Sequence, residues 1–481
     1  MKKIAFALLI GASMLATGAV AHAGNVELNM YGASAQVDYW NAVAADFLGP
    51  NGPLGCPAGP TTDSYTPTDP IYRGAKFGVI QSNGTCTGVG GTVTIRNVGY
   101  DSYQGYAAIQ GIDNPNDPLH GAPTNCKNYN RTFMTASTGR TFGCYPVDVA
   151  TADVAAQSLD QTGSGSHLDG PAGGPSFSGT ITPPVLGSAY TTDTLVVVPF
   201  GFFLNNSVQQ SVCNAASGSP YAGQGCASAS DCGTATGHAC NSGNVPSLSR
   251  TQIVNLFSGN VSNWNQLGKG FPDKNVTICL RVPGSGTEAT MTYGVMKGNG
   301  WGALLPVAED PSGPPIIYFN NTSTDLVNCV AGGITYYGGG TWSGDGAIGF
   351  VDADKVQSGM YGPVAYNGYY PNRVNIRNGA YDTFWAVEHI GWANTTHSGD
   401  KATLIDALRT YAKNPFKVPS AKAPYWATVG ELWYTKDNDK AFPALTGAST
   451  FCQSGSNKGA VCGSDGDCTG GGAGSCDYMS P

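Results

Sequence analysis

Three stretches of this sequence pass from a strand-like run, through a turn of small polar residues, into helical spacing. Residues 26–30 alternate like a strand, run into Tyr31, Gly32, Ala33 and Ser34, and are followed by Val37, Trp40, Val43, Ala44 and Phe47 at helical intervals. Residues 92–96 lead into 99–104 and a short helix around 107–109, and residues 276–281 lead through Gly284, Ser285, Gly286 and Thr287 into a helix reaching Met291 and Val295. A third kind of strand, 147–151, ends at Ala152 and Asp153, and the apolar run 195–200 suits a strand buried on both faces. Ser247, Leu248 and Ser249 carry an N-cap signal for a helix through Ile253, Leu256 and Phe257, and Asp400 opens another through Leu404, Leu408 and Tyr411. Strands alternating with helices predict an α/β protein. Residues 49–91 and 161–180, rich in Pro, Gly, Ser and Thr, read as loops.

The 481 residues exceed what one small core organises and suit two or three lobes. Only 12% of residues are charged and 68 are Gly, a composition of turns and short strands rather than long solvated helices. Acids outnumber bases, 32 to 24, with no basic cluster of the kind that a duplex requires, so nucleic acid is excluded as a partner. At the start, Lys2 and Lys3 precede an apolar run over 4–20, and Ala21, His22 and Ala23 form a small-residue cleavage site. This pattern predicts a secretory signal over residues 1–23, cleaved near Ala23, and a periplasmic or secreted protein. No Cys follows that site to carry a lipid, and no later 18-residue apolar run offers a membrane span.

All 14 cysteines lie beyond the leader, an even number in an oxidising compartment, which predicts disulfides. Two modules repeat: Cys213, Cys226, Cys232 and Cys240 are spaced by 13, 6 and 8 residues, and Cys452, Cys462, Cys468 and Cys476 by 10, 6 and 8. An Asp, Asp231 or Asp467, precedes the third Cys of each. No Cys-x-x-Cys pair occurs, so a zinc site is not expected. Cys56 with Cys86, Cys126 with Cys144 and Cys279 with Cys329 are plausible further pairs; spacing leaves the connectivity open. His120, His167, His238, His389 and His397 form no metal motif, and Asp465-Gly466-Asp467 lacks the twelve-residue calcium pattern. Neither a metal nor another cofactor is expected.

Each small polar turn sets unpaired backbone N–H groups and hydroxyls at a helix N-terminus, where partial positive charge favours an anion. Arg281, six residues before Thr287, adds a planar fork of donors. Several such turns facing one cleft would hold a dehydrated tetrahedral anion without a basic surface.

Here the sequence resembles the periplasmic phosphate-binding proteins of ABC transporters, a type II substrate-binding family. The segment 248–264, LSRTQIVNLFSGNVSNW, is similar to the family's Leu-Ser…Gly-x-Ile-x-x-Trp stretch, and Arg281-Val282-Pro283-Gly284-Ser285-Gly286-Thr287 to its Arg-x-Asp-x-Ser-Gly-Thr anion loop. Residues 346–351, GAIGFV, resemble a Gly-Ala-Ile-Gly-Tyr strand; residues 147–153 and the turn 31–34 resemble two further family segments. The resemblance spans most of residues 26–410 and leaves out the Cys modules and the loops near 49–91 and 113–145.

It implies a two-lobed α/β fold with hinge strands and Cys-rich insertions: lobe I from 24–198 and 382–450, lobe II from 199–381 with an insertion at 205–247, and a Cys-rich module at 451–481. Carried over position by position, Ser34 gives a hydroxyl and neighbouring backbone N–H groups, Ala35 among them, and Ser102 does likewise. Asp153 accepts the proton of the bound anion, Arg281 pairs with its oxygens, and Ser285, Gly286 and Thr287 cap it. A protonated phosphate can donate to a carboxylate, whereas sulfate meets repulsion there. Two departures stand out: Pro283 replaces the family's acid between Arg and Ser, and Ala35 replaces an aromatic. The function implied is non-enzymatic: a monomeric receptor for inorganic phosphate or a similar oxyanion, handing it to the membrane subunits of an ABC importer. The alternatives are the same fold binding another oxyanion, a secreted surface protein, or a phosphatase-like hydrolase with Ser285 as nucleophile. Against the last, no Gly-x-Ser-x-Gly elbow, phosphate P-loop or His/Asp metal cluster occurs.

Overall fold

The computed structural model describes residues 24–69, 72, 74–113, 126–214, 221–233, 237–298, 303–355 and 359–479; the leader expected over 1–23 lies outside them. Its organising element is the strand Tyr190–Asn205, 16 residues long, whose Val-rich centre and Phe-rich end are buried. Through residues 190–199 it pairs antiparallel with the strand Trp385–Ala393, and through 200–204 with Ala347–Asp352. It therefore belongs to both halves of one mixed sheet. Pro199 stands where the pairing changes over and has no N–H to give either ladder; the Phe200 N–H turns instead to the carbonyl of Phe384 at 3.1 Å.

On one side of this junction the order runs Trp385–Ala393, Val149–Ala152, Asn25–Gly32, Thr92–Gly99, Lys76–Gln81, Thr61–Tyr65. On the other it runs Ala347–Asp352, Thr277–Arg281, Ile316–Asn320. The inner strands of each side are parallel. Parallel strands need crossovers, and the helices that supply them begin at the strands' carboxyl ends, the usual ligand edge of an α/β sheet. The architecture is the two-lobed α/β fold with Cys-rich insertions expected from the sequence.

The aromatic cluster of Phe200, Phe202, Phe257, Phe350 and Phe384 packs beside the junction. Trp264 is fully buried and donates its indole N–H to the carbonyl of Gly346 at 2.9 Å, as a core residue should. All 14 cysteines are paired, including Cys56–Cys86, Cys126–Cys144 and Cys279–Cys329. Both modules join first Cys to third and second to fourth. The Asp before each third Cys closes a turn: Asp231 accepts the N–H groups of Ala227 and Ser228, and Asp467 those of Gly463 and Ser464.

Two expected loops contain strands. Within 49–91, Thr61–Tyr65 and Lys76–Gln81 pair antiparallel at the sheet edge, because Phe77 and Val79 have a core to face despite the Pro/Gly-rich surroundings. Within 161–180, Thr162–Gly165 and Phe177–Thr180 form a hairpin that crosses to the second lobe, where Phe177 packs edge-on against Phe319. The short helix expected near 107 begins earlier, at Ser102, because Asp101 caps it by accepting the Gln104 N–H at 2.8 Å.

Gly32, at φ 139°, makes the turn from the opening strand into its helix, and a Cβ there would lie 1.9 Å from the Thr151 carbonyl oxygen. Gly32→Ala is expected to destabilise the fold by about 3 kcal/mol, read as a lowered denaturation midpoint in urea or on heating.

Candidate functional site

The turns picked out in the sequence come together at the sheet's carboxyl edge. From the first lobe, Ser34 opens the helix Ser34–Phe47, and Ala33 fixes the turn by donating its N–H to the Thr151 carbonyl at 3.0 Å. Ser102 opens the helix Ser102–Ile109 and accepts the Asp153 N–H on its hydroxyl at 3.0 Å. From the second lobe, Arg281 ends the strand Thr277–Arg281, and the turn through Gly284, at φ 95°, leads to Ser285, which caps the helix Gly286–Thr290.

Ser102, Asp153, Gly286 and Thr287 meet directly. The Thr287 hydroxyl lies 3.5 Å from Asp153 Oδ2, and a Cβ on Gly286 would come within 2.4 Å of Ser102 Oγ and 2.6 Å of Asp153 Oδ2. Only glycine allows that approach. Two further bonds draw the lobes together: the Tyr103 N–H donates to the Gly284 carbonyl at 3.1 Å, and the Tyr100 phenol to Asn321 Oδ1 at 2.9 Å.

Ser34 and Arg281 line an adjoining cavity of about 100 Å³, with Lys76, Lys355, Thr322 and Ser323 also in its wall. Arg281 is buried and held at three points: Nε donates to the Asn320 carbonyl at 3.2 Å, Nη2 to the Asn321 carbonyl at 2.9 Å, and Nη1 to Ser323 Oγ at 3.0 Å. The expected residues thus fall into two neighbouring groups. Two of them contribute no side chain to either: the Ser285 hydroxyl is turned to the Glu288 N–H of its own helix, and Ala35 packs in the core.

Several charged groups were not expected. Glu388 lies on Trp385–Ala393, where the pairing of His389 with Ala152 sets it beside Asp153. A Glu beside His389 in a strand otherwise made of Trp, Ala, Val, Ile and Gly is a sequence signal that its surroundings are special. Glu288 accepts the Arg281 backbone N–H at 3.0 Å. Lys76 pairs with Asp38, and Lys355 with Asp352 at 3.6 Å, so both cavity lysines already have a carboxylate.

Burial dominates the electrostatics. It pushes the Asp153 carboxyl up to about 6, although Arg281 and the Thr287 hydroxyl favour its ionised form. It pushes Glu288 up to about 8 against the pull of Arg281. Glu388 rises well above the usual carboxylate range through burial and then the neighbouring Asp153 charge. The Arg281 guanidinium is pulled down by burial, opposed by Asp352 and Asp153.

Residues 232–384 match the PBP superfamily domain. The matched stretch holds Arg281 and the 285–287 turn, in agreement with the resemblance of the motifs. Over 166 residues the chain is 24% identical to the Phosphate-binding protein PstS of Bacillus subtilis (strain 168), covering 34% of this chain and 46% of that protein. The chain thus spans about half the length of the curated relative it matches. Among solved structures it is similar to a putative phosphate ABC transporter substrate-binding protein with bound phosphate from Clostridium perfringens, at 12% identity and TM-score 0.38, covering 79% of this chain and 92% of that one. It is similar also to the ancestral soluble variant of the Human Phosphate Binding Protein, at 10% identity and TM-score 0.39, covering 86% and 96%.

Glu288 supplies a direct test of the electrostatics. Its folded pKa, about 8, lies above its ordinary 4.5, so the stability it contributes is fully present below about pH 4.5 and is lost as pH rises through 8. Glu288→Gln is expected to flatten the fall of the unfolding free energy, read from urea denaturation, between pH 5 and 8, by up to about 1.4 kcal/mol per pH unit at the steepest. An unchanged slope would show that Glu288 ionises freely in the folded protein.

Proposed function

We propose that this protein is a receptor for inorganic phosphate that closes its two lobes on the anion, and that it is a binding protein rather than an enzyme. The observation that carries the reading is the convergence of Ser102 and Asp153 from one lobe with Gly286 and Thr287 from the other. In this reading residues 24–198 and 382–450 form one lobe, and 199–381 the other. Ser34 with the Ala35 N–H, and Ser102, bind from the first. Arg281 and the Ser285-Gly286-Thr287 turn bind from the second. Arg281 stands next to the contact, and its buried charge offsets an anion taken out of water. Asp153 accepts the proton of a phosphate hydroxyl, which a fully ionised sulfate lacks.

Closure is favoured because the ligand touches both lobes and the open form offers only half of those contacts. The junction at Pro199 is the place where the two halves of the sheet can swing. Delivery to the membrane subunits of an ABC importer, by a monomeric protein exported to the periplasm or beyond, completes the proposal. A hydrolase acting through Ser285 is disfavoured by the local geometry, since that hydroxyl caps its own helix.

Isothermal titration with phosphate and sulfate at pH 7 tests this. Phosphate is expected to bind at least about a hundredfold more tightly than sulfate, since burying two unpaired like charges costs roughly 3 kcal/mol. Asp153→Asn is expected to erase most of that preference, and Arg281→Ala to abolish binding of either anion. Equal affinity for the two anions in the unaltered protein would rule the proposal out.

A further inference from the structure

Asp153 does not stand alone in its cleft. Glu388 reaches it from Trp385–Ala393 of the same lobe, where the pairing of His389 with Ala152 sets the two acids side by side, and their carboxyl groups lie within hydrogen-bonding reach. Glu388 is completely buried. One of its oxygens, Oε2, accepts the Gln36 side-chain N–H at 2.9 Å, and Gln36 is itself held by the Trp40 indole N–H at 2.9 Å. The other, Oε1, has no donor among the described residues. Two carboxyl groups in contact can bond only when one of them carries a proton, and two adjacent buried charges would be costly. Other groups surround the pair. Asp352 and Arg281 face it from the second lobe, with the Thr287 hydroxyl on Asp153. Tyr106 lies behind it and spends its own proton on the Val154 carbonyl at 3.2 Å.

We infer that Glu388 is a positioning residue of the anion site: it retains a proton, donates it in a hydrogen bond to Asp153, and so keeps the Asp153 carboxylate ionised and turned to receive a ligand hydroxyl. The inference rests on the phosphate reading above and deepens it. The proton never leaves Glu388; the ligand's own O–H donates to Asp153, so one carboxylate accepts from two sides. The arrangement selects for tetrahedral anions that bring a proton, because the pair as a whole holds one negative charge and offers the ligand only an acceptor. The sequence gives Glu388 no motif; the strand register alone puts it there.

The test is calorimetric titration of the full exported chain with inorganic phosphate from pH 5.5 to 10. In the unaltered protein, phosphate affinity is expected to fall on the alkaline side as Glu388 loses its proton and two carboxylates face the anion. Glu388→Leu is expected to weaken binding at pH 7 at least tenfold, because Asp153 loses its donor. Glu388→Gln, whose amide donates without ionising, is expected to recover most of that loss and to remove the alkaline decline. A merely structural glutamate would leave the pH profile of Glu388→Gln superimposed on that of the unaltered protein, and that result overturns the inference, as would a Gln variant as weak as the Leu variant. If the Glu388 variants do not fold, Gln36→Met removes the donor that favours ionised Glu388, and the alkaline decline is expected to move to higher pH; an unmoved decline overturns the assignment. An unaltered protein that gives no heat with phosphate at any pH overturns the phosphate reading and this role with it, whereas phosphate binding with unmoved variant profiles overturns the Glu388 role alone.

Discussion

A carboxylate shut away from water depends on close polar neighbours, and the way this fold gathers them around Asp153 sets much of the rest of the site. Asp153 sits at the end of a short buried strand, bonded through its N–H to Ser102 and facing Thr287 and Gly286 across the cleft. None of these partners belongs to its own strand. They come from helices that start at the carboxyl edge of the sheet, Ser102 from the first lobe and Gly286 with Thr287 from the second. The local chemistry of one acid is thus tied to the global geometry of the two halves, and Pro199 on the shared strand marks where one half ends and the other begins.

Glycine sets the closeness of that approach. At Gly286 even a methyl group would collide with both Ser102 and Asp153, so the backbone itself is the contact. At Gly105 a Cβ would come within 2.5 Å of the Tyr31 carbonyl oxygen, so the helix carrying Ser102 lies against the opening strand with no side chain between. These are short-range steric facts, and they bring hydroxyls and amides from distant parts of the chain to one place. A positively charged surface is not needed: the charge deficit of the chain, −8 overall, is compatible with an anion site because the donors are local and buried.

Much of this was legible in the sequence because turns and caps are local. The strand-to-helix turns at Ser34, Ser102 and Ser285 depend on small residues and a few neighbours, and the structure has a helix starting at each. The repeat of the two Cys modules was equally local. What the sequence could not show depended on register. Glu388 is 235 residues from Asp153 along the chain and becomes its neighbour only because His389 pairs with Ala152. Glu288 stands in the first turn of its helix, and only the bend of the backbone aims it at the Arg281 N–H. The strands Thr61–Tyr65 and Lys76–Gln81 were hidden for a related reason: their composition resembles a loop, and their pairing comes from the neighbouring strand Thr92–Gly99.

Pro283 brings these threads together. In the resembled family an acid stands at that position, next to the arginine, and here the ring of a proline takes its place and packs close to Gly163 of the crossing hairpin. Arg281 is not left without support. Two backbone carbonyls, of Asn320 and Asn321, and the Ser323 hydroxyl take its guanidinium N–H groups, and all three are neutral. A neutral cradle orients the guanidinium without cancelling its charge, whereas a carboxylate in the same place would do both. The compensating negative charge stands further off, on Asp352 and Asp153. In the proposed function Asp153 meets the ligand's proton, and the positive charge of Arg281 would then act on the same anion from the opposite lobe. Replacing the acid by proline thus moves the compensating charge of the arginine from a neighbour in sequence to carboxylates distant in the chain, Asp352 of the same lobe first and Asp153 across the cleft after it.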